Sequence, residues 1–326
     1  MTALRETRRE AHEDLDLADV AVELRALRTA SQKRRYRGAP PPLPSREVVI
    51  HAVDGLASAL YPRHFGPADL DAKDIDAFVL RTLDSAIHDL QRQIELELAL
   101  AKDWKGENRI DTPSRAAEVV KEFTAVLPRV RALLDTDVRA AFNGDPSARS
   151  IDEIVFSFPG IAAIIRHRLA HRLYRLGVTM IARIIAEHAH SKTGIDIHPG
   201  AEIGEGFFID HGTGVVIGET AIIGRNVRLY QAVTLGAKRF EADGDGALRK
   251  NYPRHPIIED DVVIYAGATI LGRVTVGRGS SIGGNVWLTQ SVPPSGVRPT
   301  HENHERELES VLVVAEGSAW RWAFSI

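Results

Sequence analysis

The sequence predicts an α+β chain, a helical first half followed by a parallel β-helix, and two observations carry that prediction. Glycine is crowded into the second half: 18 of 26 fall between Gly194 and Gly296, and seven lie before them. At the same boundary the apolar spacing changes from three and four residues to six. The 326 residues suggest about two domains, and 44% apolar content supplies their cores, which excludes a disordered chain.

Residues 1–45 read as a charged extension. Val20, Leu24 and Leu27 form a weak stripe, and Gly38-Ala39-Pro40-Pro41-Pro42 reads as a polyproline-like linker that leaves the extension mobile. Residues 46–193 read as an all-α domain. Helices are predicted over Glu47 to Tyr61, along the stripe from Ile75 to Ile94, and as one helix from Arg115 to Leu134. Ser150-Ile151-Asp152-Glu153 is a capping box that starts a helix interrupted by Pro159-Gly160. A helix from Ile161 to Leu176 stops at Gly177, and another from Val178 to about His190 closes at Gly194.

From Gly194 the period is six. Ile197, Ile203 and Ile209 are followed, after a slip of two residues, by Ile217, Ile223, Leu229 and Leu235; a second run is Ile258, Ile264, Ile270, Val276, Ile282 and Leu288. Small or β-branched residues such as Ala201, Ala221, Val233 and Ala268 stand four places after. Hexads of this kind mark a parallel β-helix with one hexad per side and three hexads per coil, here over 194–292, and an ordinary sandwich does not keep such register. Residues 237–256 break the repeat with eight charged residues and are ejected as a loop. Residues 293–326 form a tail, with a helix expected over Glu305 to Val314.

Composition narrows the function. Against 41 Lys and Arg stand 44 Asp and Glu, net −3, which lacks the basic footprint of a nucleic-acid binder. No cysteine is present, so disulfides, thiolate metal sites and acyl-cysteine intermediates are excluded. Met1 to Glu10 has no apolar core behind its arginines, and no run approaches the roughly 18 apolar residues of a membrane span, so a cytoplasmic protein without a membrane partner is expected. His167 and His171 are spaced i, i+4, yet no carboxylate or cysteine completes a metal site, and no metal is expected.

Five segments carry a resemblance: Ile195-Asp196-Ile197-His198-Pro199-Gly200-Ala201, Phe208-Ile209-Asp210-His211-Gly212-Thr213-Gly214, Val216-Ile217-Gly218-Glu219-Thr220, Gln231-Ala232-Val233-Thr234-Leu235-Gly236 and Arg254-His255-Pro256. Together with Asp145-Pro146 upstream, they make Asp145 to Pro294 resemble bacterial serine O-acetyltransferases, hexapeptide-repeat acyltransferases. The resemblance implies a left-handed β-helix, against the usual crossover rule. It implies a homotrimer packed through its helical domains into a hexamer, and acetyl transfer from acetyl-CoA to L-serine for cysteine biosynthesis.

The resemblance also implies roles. His211 would remove the serine hydroxyl proton for direct attack without an acyl-enzyme, and Asp196, fifteen residues earlier and nearly one coil below, would orient it. Asp145 and Asp210 would hold the ammonium and hydroxyl, and Arg254 the carboxylate with His255 beside it; Glu219 would have a supporting role. Gly236, Ala266 and Gly267 match positions beside acetyl-CoA, and Lys238, Arg239, Arg273 and Arg278 are candidates for its phosphates. L-cysteine would compete as feedback inhibitor, and the terminal Ile326 would insert into cysteine synthase. After Leu288 the sequence departs from the family's tail, which leaves CoA contacts there unassigned. The alternatives are a hexapeptide acetyltransferase acting on a sugar or antibiotic, a γ-type carbonic anhydrase using His198, His211 and His255, and a silent cysteine synthase scaffold.

Overall fold

The computed structural model describes residues 17–36, 38–105, 111–239, 244, 246, 248–250 and 252–299. The helix expected at Glu305 to Val314 and the terminal Ile326 lie outside the described residues. Helix α1 (Leu17–Arg35) lies in the expected mobile extension; its stripe does form one helix face, but none of its residues is buried. Helix α2 (Arg46–Leu60) begins where the Ser45 hydroxyl accepts from the Val48 N–H at 3.3 Å, and it buries Val49, Val53, Leu56 and Leu60. A short helix α3 (Pro62–Phe65) leads to α4 (Ile75–Lys105), which packs Leu90 and Ile94 against α2.

The single helix expected from Arg115 to Leu134 is two, α5 (Thr112–Ala125) and α6 (Leu127–Gly144). Pro128 has no N–H to donate to the Thr124 carbonyl and its ring crowds that carbonyl, so the helix restarts at Leu127. The apolar stripe runs through the break, with Val120, Phe123, Leu127, Val130 and Leu134 all buried. Helix α7 (Ile151–Ser157) starts at the Ser150 cap, whose hydroxyl accepts from the Glu153 N–H at 3.0 Å; Glu153 returns its carboxylate to the Arg149 N–H at 2.7 Å, one residue before the expected partner. Helix α8 (Pro159–Arg175) and helix α9 (Thr179–Thr193) complete the helical half, and Gly194 ends α9 in the left-handed region at φ 69°.

The second half is a three-sided coil of parallel strands. The first side holds β1 (Asp196–Ile197), β4 (Val216–Ile217), β7 (Thr234–Gly236), β10 (Thr269–Leu271) and β13 (Trp287–Leu288). The second holds β2 (Glu202–Ile203), β5 (Ile222–Ile223), β8 (Ile257–Ile258) and β11 (Thr275–Val276). The third holds β3 (Phe208–Ile209), β6 (Arg228–Leu229), β9 (Val263–Ile264), β12 (Ser281–Ile282) and β14 (Val297–Arg298). Thr234 pairs with Val216, and Trp287 with Thr269, each partner lying one coil of three hexads away. Asp196 pairs with Val216 across three hexads plus the two-residue slip, and Thr234 pairs with Thr269 across the ejected loop. Because β14 pairs with β12, the coil continues past residue 292 into the segment the sequence assigns to the tail.

Helices and coil share one continuous hydrophobic core. At their junction Arg168 of α8 meets Asp137 of α6 in a two-bond ion pair at 2.6 and 2.7 Å, with both side chains almost fully buried. The same guanidinium donates to the Ile203 and Gly204 carbonyls at 3.1 and 2.7 Å, and Asp137 accepts from the Phe207 N–H at 2.9 Å. Burial pushes the Asp137 carboxyl upward, and the Arg168 contacts oppose that push. Replacing Asp137 with Ala strands a buried guanidinium, and urea melts should show a loss of about 3–5 kcal/mol.

Candidate functional site

Between the third and first sides of the coil, the slip adds two residues to one corner. His211 sits there at φ 60°, a left-handed conformation uncommon for a side chain of its size, and its imidazole is 71% exposed. Gly212 follows at φ 92°, where a Cβ would crowd Ile195. The Asp210 carboxylate lies 3.9 Å from His211 Nδ1 and accepts from Arg228 at 2.6 Å. Asp145, at the end of α6, accepts from the Ser147 N–H and hydroxyl at 2.8 and 2.7 Å; these bonds hold its carboxyl below the usual range, helped by the positive fields of Arg228 and His211. Asp145, Asp210 and His211 thus form one cluster.

Asp196 forms no hydrogen bond or ion pair with that cluster among the described residues. It lies in β1 beside Val216, five residues past His211, and among the described residues its carboxylate forms no ion pair with the imidazole. A spacing of fifteen falls short of a coil that takes three hexads and the slip at this point.

The other candidates gather at the corner between the first and second sides. The Thr220 hydroxyl accepts from the Arg254 and His255 N–H groups at 2.9 and 3.2 Å and stands 2.8 Å from His255 Nδ1, which also accepts from the Thr220 N–H at 3.1 Å. With Nδ1 accepting, the ring carries its proton on Nε2. Gly218 makes room for this ring, which a Cβ would overlap. Glu219 accepts from Arg254 at 2.6 Å and from the Tyr174 hydroxyl of α8 at 2.8 Å; burial pushes its carboxyl up, but these bonds outweigh burial and leave it lowered. Burial and that same bond push Tyr174 up to about 12. His198 packs edge-on against Tyr174.

The two corners bracket the first side, which takes about six residues of extended chain, roughly 20 Å. Within one chain, then, His211 and His255 do not share a cleft. Gly236 ends β7, and Ala266 and Gly267 turn the corner before β10, Gly267 at φ 74° where a Cβ would overlap the Asn285 amide. Arg273 donates to the Thr220 and His255 carbonyls at 2.6 and 3.0 Å, and Arg278 pairs with Asp260 at 3.3 Å. His171 Nδ1 is 2.9 Å from the Pro199 carbonyl oxygen, and no cluster of three metal-ligating side chains occurs among the described residues. Nor is any described helix long and apolar enough to cross a membrane.

Tyr174, Thr220 and Arg228 escaped sequence reasoning. Each touches a candidate from 18 to 45 positions away, and only Thr220, inside a quoted motif, offered a signal.

A stacked hexad coil with chemistry at its corners defines the class of hexapeptide-repeat transferases, and the family described as bacterial transferase hexapeptide (six repeats) matches residues 255–290. The chain is 59% identical over 256 residues to the plasmid serine acetyltransferase of Synechococcus elongatus, covering 77% of this chain and 80% of that one. It is 46% identical over 161 residues to the serine acetyltransferase of Bacillus subtilis, 49% of this chain and 70% of the relative. The structure superposes on Entamoeba histolytica serine acetyltransferase 1 in complex with L-cysteine with TM-score 0.66 at 35% identity, covering 78% and 87% of the two chains. This chain belongs to the serine acetyltransferase family, and the left-handed coil that the resemblance implies agrees with those structures.

Burial, and then the charges of Arg183 and Arg254 respectively, push His198 and His255 down to about 4. The unfolded chain takes up these protons near pH 6.5 and the folded one near 4, so the stability they supply is complete above 6.5 and lost as pH falls toward 4. Urea midpoints between about pH 7 and 4.5 should fall accordingly, with a shallower slope in His255→Gln.

Proposed function

We propose that this protein transfers the acetyl group of acetyl-CoA to the hydroxyl of L-serine, giving O-acetyl-L-serine for cysteine biosynthesis in the cytoplasm. The observation that carries the reading is His211: an exposed imidazole held in the left-handed region at the slip, with Asp210 and Asp145 beside it.

In the proposed reaction His211 accepts the serine hydroxyl proton as the oxygen bonds to the thioester carbon. The tetrahedral centre collapses, the carbon–sulfur bond breaks, and the departing thiolate recovers the proton from the imidazolium. Asp145 and Asp210 hold the serine ammonium and hydroxyl. Arg254 binds the carboxylate, fixed for that task by Glu219 and Tyr174, and neutral His255 donates from Nε2 beside it. Asp196 is assigned the orientation of His211, which requires the exposed ring to turn from Asp210. Gly236, Ala266 and Gly267 line the run of backbone offered to the pantetheine arm of acetyl-CoA.

Because the acid-and-base corner and the arginine corner lie on opposite edges of one side, the proposed site is completed between neighbouring copies in a homotrimer. The helical domain of residues 46–193 is proposed to join trimers into a hexamer. L-cysteine, nearly isosteric with serine, would occupy the same pocket as feedback inhibitor, and the C-terminal Ile326 is proposed to reach cysteine synthase.

Serine-dependent release of CoA from acetyl-CoA tests the reaction, with sugar acceptors as controls. His211→Ala should lose about 10²–10⁴-fold in kcat, whereas Arg254→Ala should chiefly raise KM for serine; no serine-dependent release would overturn the reading. Co-expressed His211→Ala and His255→Ala chains, assayed at a serine concentration where neither turns over alone, should recover roughly a quarter of wild-type activity if sites form between copies, and none if each chain carries a whole site.

A further inference from the structure

Helices α6 and α8 and strands β2 and β5 wall a cavity of about 400 Å³. Its lining is unusually cationic: Arg168, Arg172 and Arg175 all come from α8, with His167 and His171 between them. Arg168 is committed to Asp137, and Arg175 shares an exposed contact with Glu202 at 3.4 Å. Arg172 has neither: among the described residues its guanidinium forms no ion pair and no hydrogen bond, and the charges bearing on it are those of Arg129, Arg168 and Arg175. His167 is 3% exposed, lines the same cavity, and its Nδ1 is buried without a hydrogen-bond partner.

Both observations are costs in the free chain. Like charges gathered on one helix face repel, and a buried polar nitrogen left unpaired forfeits its desolvation energy. A dianion placed between Arg172 and Arg175 relieves the first, and a hydroxyl carried by that ligand, the P–OH of hydrogen phosphate or an alcohol of the ester group, relieves the second by donating to the His167 Nδ1. Burial keeps the His167 ring neutral, and the Ala201 backbone takes its one N–H, so Nδ1 is left as an acceptor rather than a further positive charge. Ile203, Ile222 and Ile223 form an apolar wall opposite, and the volume exceeds what a bare tetrahedral ion fills, leaving room for an organic group.

The geometry points to a second binding site, separate from the proposed acetyl-transfer site, that takes a tetrahedral oxyanion in the cavity between α8 and the second side of the coil, with Arg172 as its principal ligand. The shared chemistry is that of sulfate, phosphate and phosphomonoesters; the apolar wall favours the ester.

Thermal midpoints and titration calorimetry on the full chain, at constant ionic strength against chloride, test this with three probes: sodium sulfate, inorganic phosphate and glycerol 3-phosphate. Saturable stabilisation by at least one probe is expected, the glycerol ester binding most tightly. Kd should weaken roughly tenfold or more in Arg172→Gln, as expected for loss of a charge-assisted hydrogen bond. Arg175→Gln should weaken it less, and Arg254→Gln, which alters the other site, should leave it unchanged. An ordinary circular-dichroism spectrum for Arg172→Gln separates lost binding from lost fold. Stabilisation no greater than chloride gives, equal binding by Arg172→Gln, or loss of binding in Arg254→Gln alone would each overturn the assignment.

Discussion

Arg168 and Asp137 close the open end of the coil. In a stack of parallel strands each turn satisfies the backbone of the one before it, and the first turn has no predecessor. Its outward carbonyls at Ile203 and Gly204 are taken by the Arg168 guanidinium, and its N–H groups at Gly206 and Phe207 by Thr136 and Asp137. A terminal repeat normally needs a polar cap; here the cap is a buried ion pair supplied by two helices of the other half. Everything above it inherits its register from that first turn, including the slip that lifts His211 out of the coil.

The same junction ties the helical half to the chemistry proposed for the coil. Helix α8 carries Arg168 to the base of the stack and Tyr174 to Glu219, which in turn fixes Arg254. Gly160, near the start of that helix, lies where a Cβ would overlap the Ile209 carbonyl, so the helix rests directly on the strand that precedes Asp210 and His211. One helix therefore sets the position of both corners, although they face different directions.

Much of this is legible from spacing alone, because hexads impose a period that nothing else in the chain imitates. The slip before Ile217 and the ejected loop both appear as breaks in that period, and each lies at a candidate site. The restart at Leu127 is harder to see: the apolar stripe passes through it unbroken, and only Pro128 signals that the backbone cannot. Contacts such as Arg228 with Asp210 leave no local trace, since an arginine on one coil and an acid on the coil below are far apart in the chain and either alone reads as surface. The spacing of Asp196 and His211 is harder to read for a related reason, as the ordinary coil of three hexads does not hold where the slip lengthens it.

The ejected loop returns to the coil through a clasp, the Thr220 hydroxyl gripping the Arg254 and His255 backbone as β8 begins. The sequence between β7 and that clasp breaks the six-residue repeat, and the entropy of closing such a loop grows only logarithmically with its length, about 0.6 kcal/mol per doubling. The stretch around Gly244 and Gly246 is therefore a natural graft point, where a reporter or a binding peptide can be spliced into the polypeptide while the geometry of Arg254 and His255 is left to the clasp.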